Sequence, residues 1–234
     1  MNIEKYYNQE SNGISFTREQ ASQFAKNVAD DFNPIHDIDA KRFCVPGDLL
    51  FSVVLSKLGL FNAMHVTFSD MVTDGIELLF KQTDAKNLDI VNSDDKKYLN
   101  LQHQGDNTTN QAAINQLIEQ YVGFSGKTFP HILVPLWKDK NVMVNPARPL
   151  VIYQSMSINM DSLDFTNPTL EATTPELSVE GKRGHVILRF DFKDGDKKIG
   201  SGEKRMILSG LKPYDQSAID GLIEFYNERK QTLS

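Results

Sequence analysis

Apolar residues recur at helical spacing early in the chain: Ala21, Phe24, Ala25 and Val28 share one face. Just ahead of them, Thr17 and Gln20 stand three positions apart in a capping-box pattern, which predicts a helix starting there. That helix is expected to stop near Asp30 or Asp31, because Pro34 disfavours helical geometry at Asn33. A second run, Leu49 to Phe61 behind Pro46-Gly47-Asp48, is apolar nearly all round, interrupted by Ser52, Ser56, Lys57 and Gly59. Such a run fits a helix buried on every side, over about residues 47–61, and a sheet curled around it is the simplest host.

Period-two alternation follows. Met64, Val66 and Phe68 alternate with His65, Thr67 and Ser69, and Ile76, Leu78 and Phe80 resume after the turn Thr73-Asp74-Gly75. Leu88 to Val91 and Tyr98 to His103 read as two further strands. Gly105 to Thr109 is the best boundary candidate. Beyond it, Ala113, Ile114, Leu117, Ile118 and Tyr121 mark an amphipathic helix. Residues 156–161, 186–192 and 197–208 then supply strand patterns, and Ile219 to Tyr226 a closing helix.

Each half thus reads as helical segments followed by about four strands, an α+β pattern. Two units are expected, 1–109 and 110–234, linked by element order and not by a sequence repeat. The second shows no run as apolar as Leu49 to Phe61. Its segment 123–149 carries Pro130, Pro135, Pro146 and Pro149, which argue against one long helix there. The expectation is a degenerate second unit without a clear buried helix.

Composition narrows the partners. At 234 residues, 40% hydrophobic and 24% charged, the chain can bury a normal core. A net charge of -6 gives no basic footprint for nucleic acid. The single cysteine, Cys44, excludes an internal disulfide framework and a Cys-rich zinc site, and suits a reducing cytoplasm. No apolar run is long enough to span a bilayer, and the first residues show no signal-peptide pattern. A cytoplasmic protein is expected.

The chemistry concentrates in Asp31-Phe32-Asn33-Pro34-Ile35-His36, an Asp-x-Asn-Pro-x-His motif between the first helix and the buried one. With Phe16-Thr17, Asp39-Ala40 and Gly47 opening the apolar run, the first 80 or so residues resemble the MaoC-like, (R)-specific enoyl-CoA hydratase family. The resemblance implies a hot-dog fold, an antiparallel sheet wrapped around a central helix, here as a double hot-dog in one chain. It also implies hydration of a trans-2-enoyl thioester carried on CoA or ACP, without any other cofactor or metal. Asp31 and His36 would be the catalytic pair around a water, and Gly47 the oxyanion donor at the helix N-terminus. Asn33 and Pro34 would shape the loop.

Val45-Pro46-Gly47-Asp48-Leu49-Leu50 is also similar to the start of the central helix in β-hydroxyacyl-ACP dehydratases. Those enzymes carry an acid five positions after the glycine. Here that position is Ser52, which favours the MaoC-like branch and could face substrate. This chain has Pro46-Gly47 where the hydratases typically have His-Gly, and Gly47 follows His36 by only eleven positions.

Other candidates carry less. Lys41-Arg42 could meet CoA phosphates, though a solvated helix end is the simpler reading. Lys182-Arg183 and Lys204-Arg205 share that ambiguity. Asp30, Asp31, His36, Asp37 and Asp39 form a polar cluster without the histidine spacing of a metal site. Cys44 beside Phe43 and Val45 reads as a small buried residue. The partner expected is a small acyl thioester, with the protein a homodimer or a monomeric double hot-dog. A non-catalytic acyl-CoA, lipid-binding or interaction module is the alternative.

Overall fold

The computed structural model describes residues 1–233. Helix α1 (Arg18–Asn27) starts at the expected capping box: Thr17 Oγ1 accepts from the Gln20 N–H at 3.1 Å, and the Gln20 side chain accepts from the Thr17 N–H at 2.9 Å. Short strands β1 (Asn8–Gln9) and β2 (Gly13–Ser15) precede it. Helix α2 (Gly47–Leu58) buries Leu49 through Leu55 without a break. It stops three residues before the expected Phe61. Gly59 turns out of the helix at φ +91°, and Leu60 and Phe61 start a strand instead.

The first half continues as β3 (Leu60–Phe68), β4 (Leu78–Asp84), β5 (Asn87–Val91) and β6 (Lys97–Thr108). The second half opens with α3 (Gln111–Gly126), whose N-cap Asn110 accepts from the Ala112 and Ala113 N–H groups. After a turn with π-helical hydrogen bonding at Thr128–Ile132 comes α4 (Leu133–Asp139). There follow β7 (Val142–Met143), β8 (Val151–Met160), β9 (Pro168–Ala172), β10 (Glu176–Glu180), β11 (Arg183–Asp194), β12 (Lys197–Ser209) and β13 (Lys212–Pro213). Helix α5 (Gln216–Leu233) closes the chain.

All strand pairs are antiparallel, in the order β1-β2-β4-β5-β6-β3-β8-β12-β11-β10, with β9 also on β11 and β13 paired with β7 apart. In each half the first long strand after the helices lies beside the last long strand of that half: β3 on β6, β8 on β12. The halves meet where β3 pairs β8, from Ala63↔Asn159 to Thr67↔Ser155. Alternation sets the faces. Met64, Val66, Met156 and Ile158 point inward, while His65, Thr67, Ser155 and Ser157 lie on the opposite face.

This is an α+β double hot-dog, with α2 packed into the curved sheet. One apolar cluster runs from Ile3 through α2 and α3 to Ile199, so side chains of both halves fill the space around α2. The degenerate-helix expectation needs correcting. The second half does have a buried helix, α3, which packs against α2 and β9. It looked merely amphipathic because one of its faces stays polar, and it ends four residues before the first proline of the segment. Its last turn approaches so closely that a Cβ on Gly126 would lie 1.5 Å from the Ala29 carbonyl oxygen.

Candidate functional site

Helix α1 ends just ahead of the motif. Asp30 reverses the chain in the left-handed region, φ +55°, and the Asp31 N–H donates back to the Ala25 carbonyl at 2.8 Å. Asp31 Oδ1 accepts from the Asn33 N–H at 2.9 Å, and Asn33 Oδ1 accepts from the Ile35 N–H at 3.2 Å. Pro34 then opens a single 3-10 turn ending at His36. Short side chains that bond their own backbone suit such a loop, and proline presets its φ.

The turn brings Asp31 and His36 face to face, with Oδ2 and Nε2 3.8 Å apart. His36 Nδ1 lies 2.7 Å from the Cys44 carbonyl oxygen. A carbonyl can only accept, so Nδ1 carries the hydrogen and Nε2 presents a lone pair toward Asp31 in the neutral ring. Two acceptors then face each other beyond direct bonding distance. One water donating a hydrogen to each would satisfy both. The His36 side chain is 12% exposed and that of Asp31 33%, so the pair is half-sheltered.

The remaining expected residues are placed differently. Gly47 is the first residue of α2, three positions after the Cys44 that holds His36, and it lies under the Tyr153 ring: a Cβ would meet Tyr153 Cδ1 at 2.8 Å. Ser52 is fully buried and its hydroxyl donates to the Asp48 carbonyl at 2.6 Å, an internal helix bond. Lys41 and Arg42 are exposed on the turn after the motif. Burial, with Asp70 adding to it, pushes the Cys44 thiol up to about 12, so it is an inert thiol.

Several residues that brace this loop carry no local signal. Arg18 donates to the Ile38 and Ala40 carbonyls at 2.9 and 3.1 Å and lies over the Phe43 ring. Lys26 donates to Asp37 at 3.0 Å, and Arg229 donates to the same carboxylate. Tyr226 and Lys230, also on α5, bond the Asp30 carbonyl and carboxylate respectively. Asp30 and Asp37 are thus engaged with cations of this chain. Among the described residues, no group of three or more His, Cys, Asp or Glu side chains could hold a metal.

A second polar centre lies inside the molecule. Asp48, in the first turn of α2, accepts from Tyr121 OH and from Ser125 Oγ, each at 2.5 Å, and pairs with Lys204 Nζ at 3.5 Å. Lys204 also donates to Ser125 and sits 4.1 Å from the centre of the Tyr153 ring, whose hydroxyl contacts that of Tyr121. Burial above all, and then Asp48, hold both tyrosines protonated with pKa values raised well above normal. The four elements involved, α2, α3, β8 and β12, come from both halves, so sequence spacing could not reveal the cluster. Tyr121 and Ser125 at helical i, i+4 spacing were the one detectable part.

Surface cavities occur elsewhere. One of about 550 Å³ lies along α5, lined by Asp220, Ile223 and Glu224, and one of about 290 Å³ by Leu136, Leu177 and Ile187. Among the described residues, no helix is long and apolar enough to cross a membrane.

No curated protein sequence matches the chain. Among solved structures it is similar to a conserved protein of unknown function with hot dog fold from Alicyclobacillus acidocaldarius, at 9% identity, 91% of this chain, 98% of that one and TM-score 0.47. It is similar to a MaoC-like dehydratase at 9% identity, 87% and 99% coverage and TM-score 0.44. An acyl-CoA thioesterase II from Mycobacterium marinum matches at 10% identity, 92% and 100% coverage and TM-score 0.43. At the level of sequence a family model matches residues 1–217, and by it the chain belongs to the family described as "Protein of unknown function (DUF3581)".

Proposed function

We propose that the protein is an acyl-thioester hydratase, adding water across a trans-2-enoyl thioester carried on CoA or ACP, with Asp31 and His36 as its catalytic pair. The observation that supports this most is the 3.8 Å gap between Asp31 Oδ2 and His36 Nε2, with the imidazole pinned through Nδ1 to Cys44. In this reading the gap holds the reacting water. Its oxygen bonds the β-carbon as one proton passes to Nε2, and the double-bond electrons move onto the thioester oxygen. Collapse of that enolate takes a proton from the imidazolium at the α-carbon, so atoms and charge balance without a redox partner. Gly47, at the N-terminus of α2, is the proposed donor to the enolate oxygen, provided the Tyr153 ring above it yields to the thioester.

The same motif residues then explain why Nδ1 must be occupied. A free Nδ1 would let the ring flip or choose the other tautomer, removing the base from the gap. Crotonyl-CoA or a longer enoyl-CoA should lose its conjugated-thioester absorbance on adding the protein. Asp31→Asn and His36→Ala should each lower that rate by roughly 10²- to 10⁴-fold, the range for loss of a positioned acid or base. A doubly substituted protein that turns over like wild type would rule the assignment out.

A further inference from the structure

Helix α5 lies beyond residue 217, where the family match ends, except for its first two residues. Of its 18 residues only Ile219 and Tyr226 are buried, so filling the core is a small part of what it does. Its polar side chains converge on the motif loop. Tyr226 OH donates to the Asp30 carbonyl at 3.1 Å and accepts from the Phe32 N–H at 3.3 Å, so one hydroxyl ties the backbone on both sides of Asp31. Arg229 Nε donates to the Phe32 carbonyl at 3.4 Å, and Arg229 also donates to the carboxylate of Asp37, the residue after His36. Phe32 meets the Tyr226 ring edge-on, with centroids 6.2 Å apart.

We propose that Tyr226 and Arg229 are positioning residues for the Asp31–His36 pair, holding Asp31 from both sides and Asp37 beside His36 so that the water gap keeps its width. Asp30 sits in the left-handed backbone region, which aspartate tolerates at some cost, so partners can help hold it there. The Tyr226 hydroxyl and the Lys230 ammonium do so. Burial, chiefly, pushes the Tyr226 hydroxyl up to about 12, with Asp31 and Asp30 adding to it, so it remains a donor throughout the neutral range. The charges around the pair come from three elements: Lys26 on α1, Asp30, Asp37 and Asp39 on the loop, and Arg229 and Lys230 on α5.

The catalytic half of this inference rests on the hydratase reading; the geometric half does not. The experiment therefore joins two readouts on the full-length protein. Amide exchange at Phe32 and the ring ¹⁵N resonances of His36 report loop geometry without turnover, and kcat with KM on an enoyl-CoA report catalysis. Tyr226→Phe keeps the ring and removes the hydroxyl. It should speed Phe32 exchange about five-fold, the effect of losing one ordinary hydrogen bond, and shift the His36 resonances. It should lower kcat about ten-fold with little change in KM, as expected of misplaced catalytic groups. Arg229→Gln should act likewise, Arg229→Lys should recover part of the loss, and the exposed Glu224→Gln should match wild type. If wild type hydrates no enoyl-CoA, the hydratase reading fails, and exchange and His36 resonances alone decide the positioning. Unchanged exchange and resonances in Tyr226→Phe/Arg229→Gln overturn it, as does a fall in kcat with the resonances unmoved.

Discussion

Replacing Lys204 by Met should destabilise the protein strongly. Its ammonium stands 3.5 Å from Asp48 Oδ2, with side-chain exposures of 7% and 13%. At that separation two charges attract by about 5 kcal/mol at an effective dielectric near 20, much of it offset by the cost of burying both. Methionine fills much of the lysine stem's volume but abandons Asp48, and deleting one partner of a buried pair typically costs about 3–5 kcal/mol. Loss of the cation over the Tyr153 ring acts in the same direction. We expect a fall of about 3 kcal/mol in urea unfolding and, for a chain of this size, of roughly 6–12 °C in Tm. The diagnostic comparison is Asp48→Asn. It should be costly in wild type but nearly free beside Lys204→Met, because the carboxylate it removes is by then an unpaired charge. A coupling of about 2 kcal/mol is expected from the double-mutant cycle. A single-mutant cost below about 1 kcal/mol, or two costs that simply add, would show that the centre is not a coupled ion pair.

Gly123→Ala and Gly126→Ala, one turn apart on α3, should have opposite signs. The first meets nothing within 4 Å and should gain about 0.5–1 kcal/mol from helix propensity, whereas the second drives a Cβ into the Ala29 backbone and should cost 3 kcal/mol or so; denaturant melts compare them. Cys44, with its thiol pushed up to about 12, should resist alkylation at about pH 8 in the folded protein and react readily on unfolding; rapid labelling of the folded protein would refute this. Tyr226 has a folded pKa raised from 10.0 to about 12, so the protonated form is the one the fold favours. Its contribution is whole below pH 10 and is lost as pH rises toward 12. Phenolate absorbance followed with Phe32 amide exchange should show the loop loosening over that window, and Tyr226→Phe should abolish that step.

Much of this architecture is written locally. Thr17 and Gln20 announce α1 because a capping box closes within three residues. The run from Leu49 is legible because a helix buried on all sides has no polar face to confuse it. Alternation located β3, β4, β8, β11 and β12, and short apolar runs located β5 and β6, but β9 and β10 were not picked out: Pro168–Ala172 and Glu176–Glu180 lie along one edge of β11 and are mostly exposed. The motif loop was readable because Asp31, Asn33, Pro34 and His36 bond within one turn. Its braces were not, since Tyr226 and Arg229 stand almost two hundred positions away and most of their partners are backbone groups. Asp48 and Lys204 were hidden for the same reason. Each looks like an ordinary surface charge until the sheet brings β12 to the first turn of α2.

The β3–β8 seam has a further consequence. Covalent connection gives its two strands a fixed effective concentration, so their pairing cannot be weakened by dilution as contact between separate subunits can. It also releases each half from having to complement an identical copy of itself. One side of the seam can keep the Asp31–His36 loop while the other contributes Tyr121, Ser125, Tyr153 and Lys204, and a substitution in either half changes the molecule once instead of twice. The join thereby allows asymmetry: unlike parts can specialise on a scaffold whose strand order remains nearly the same on both sides.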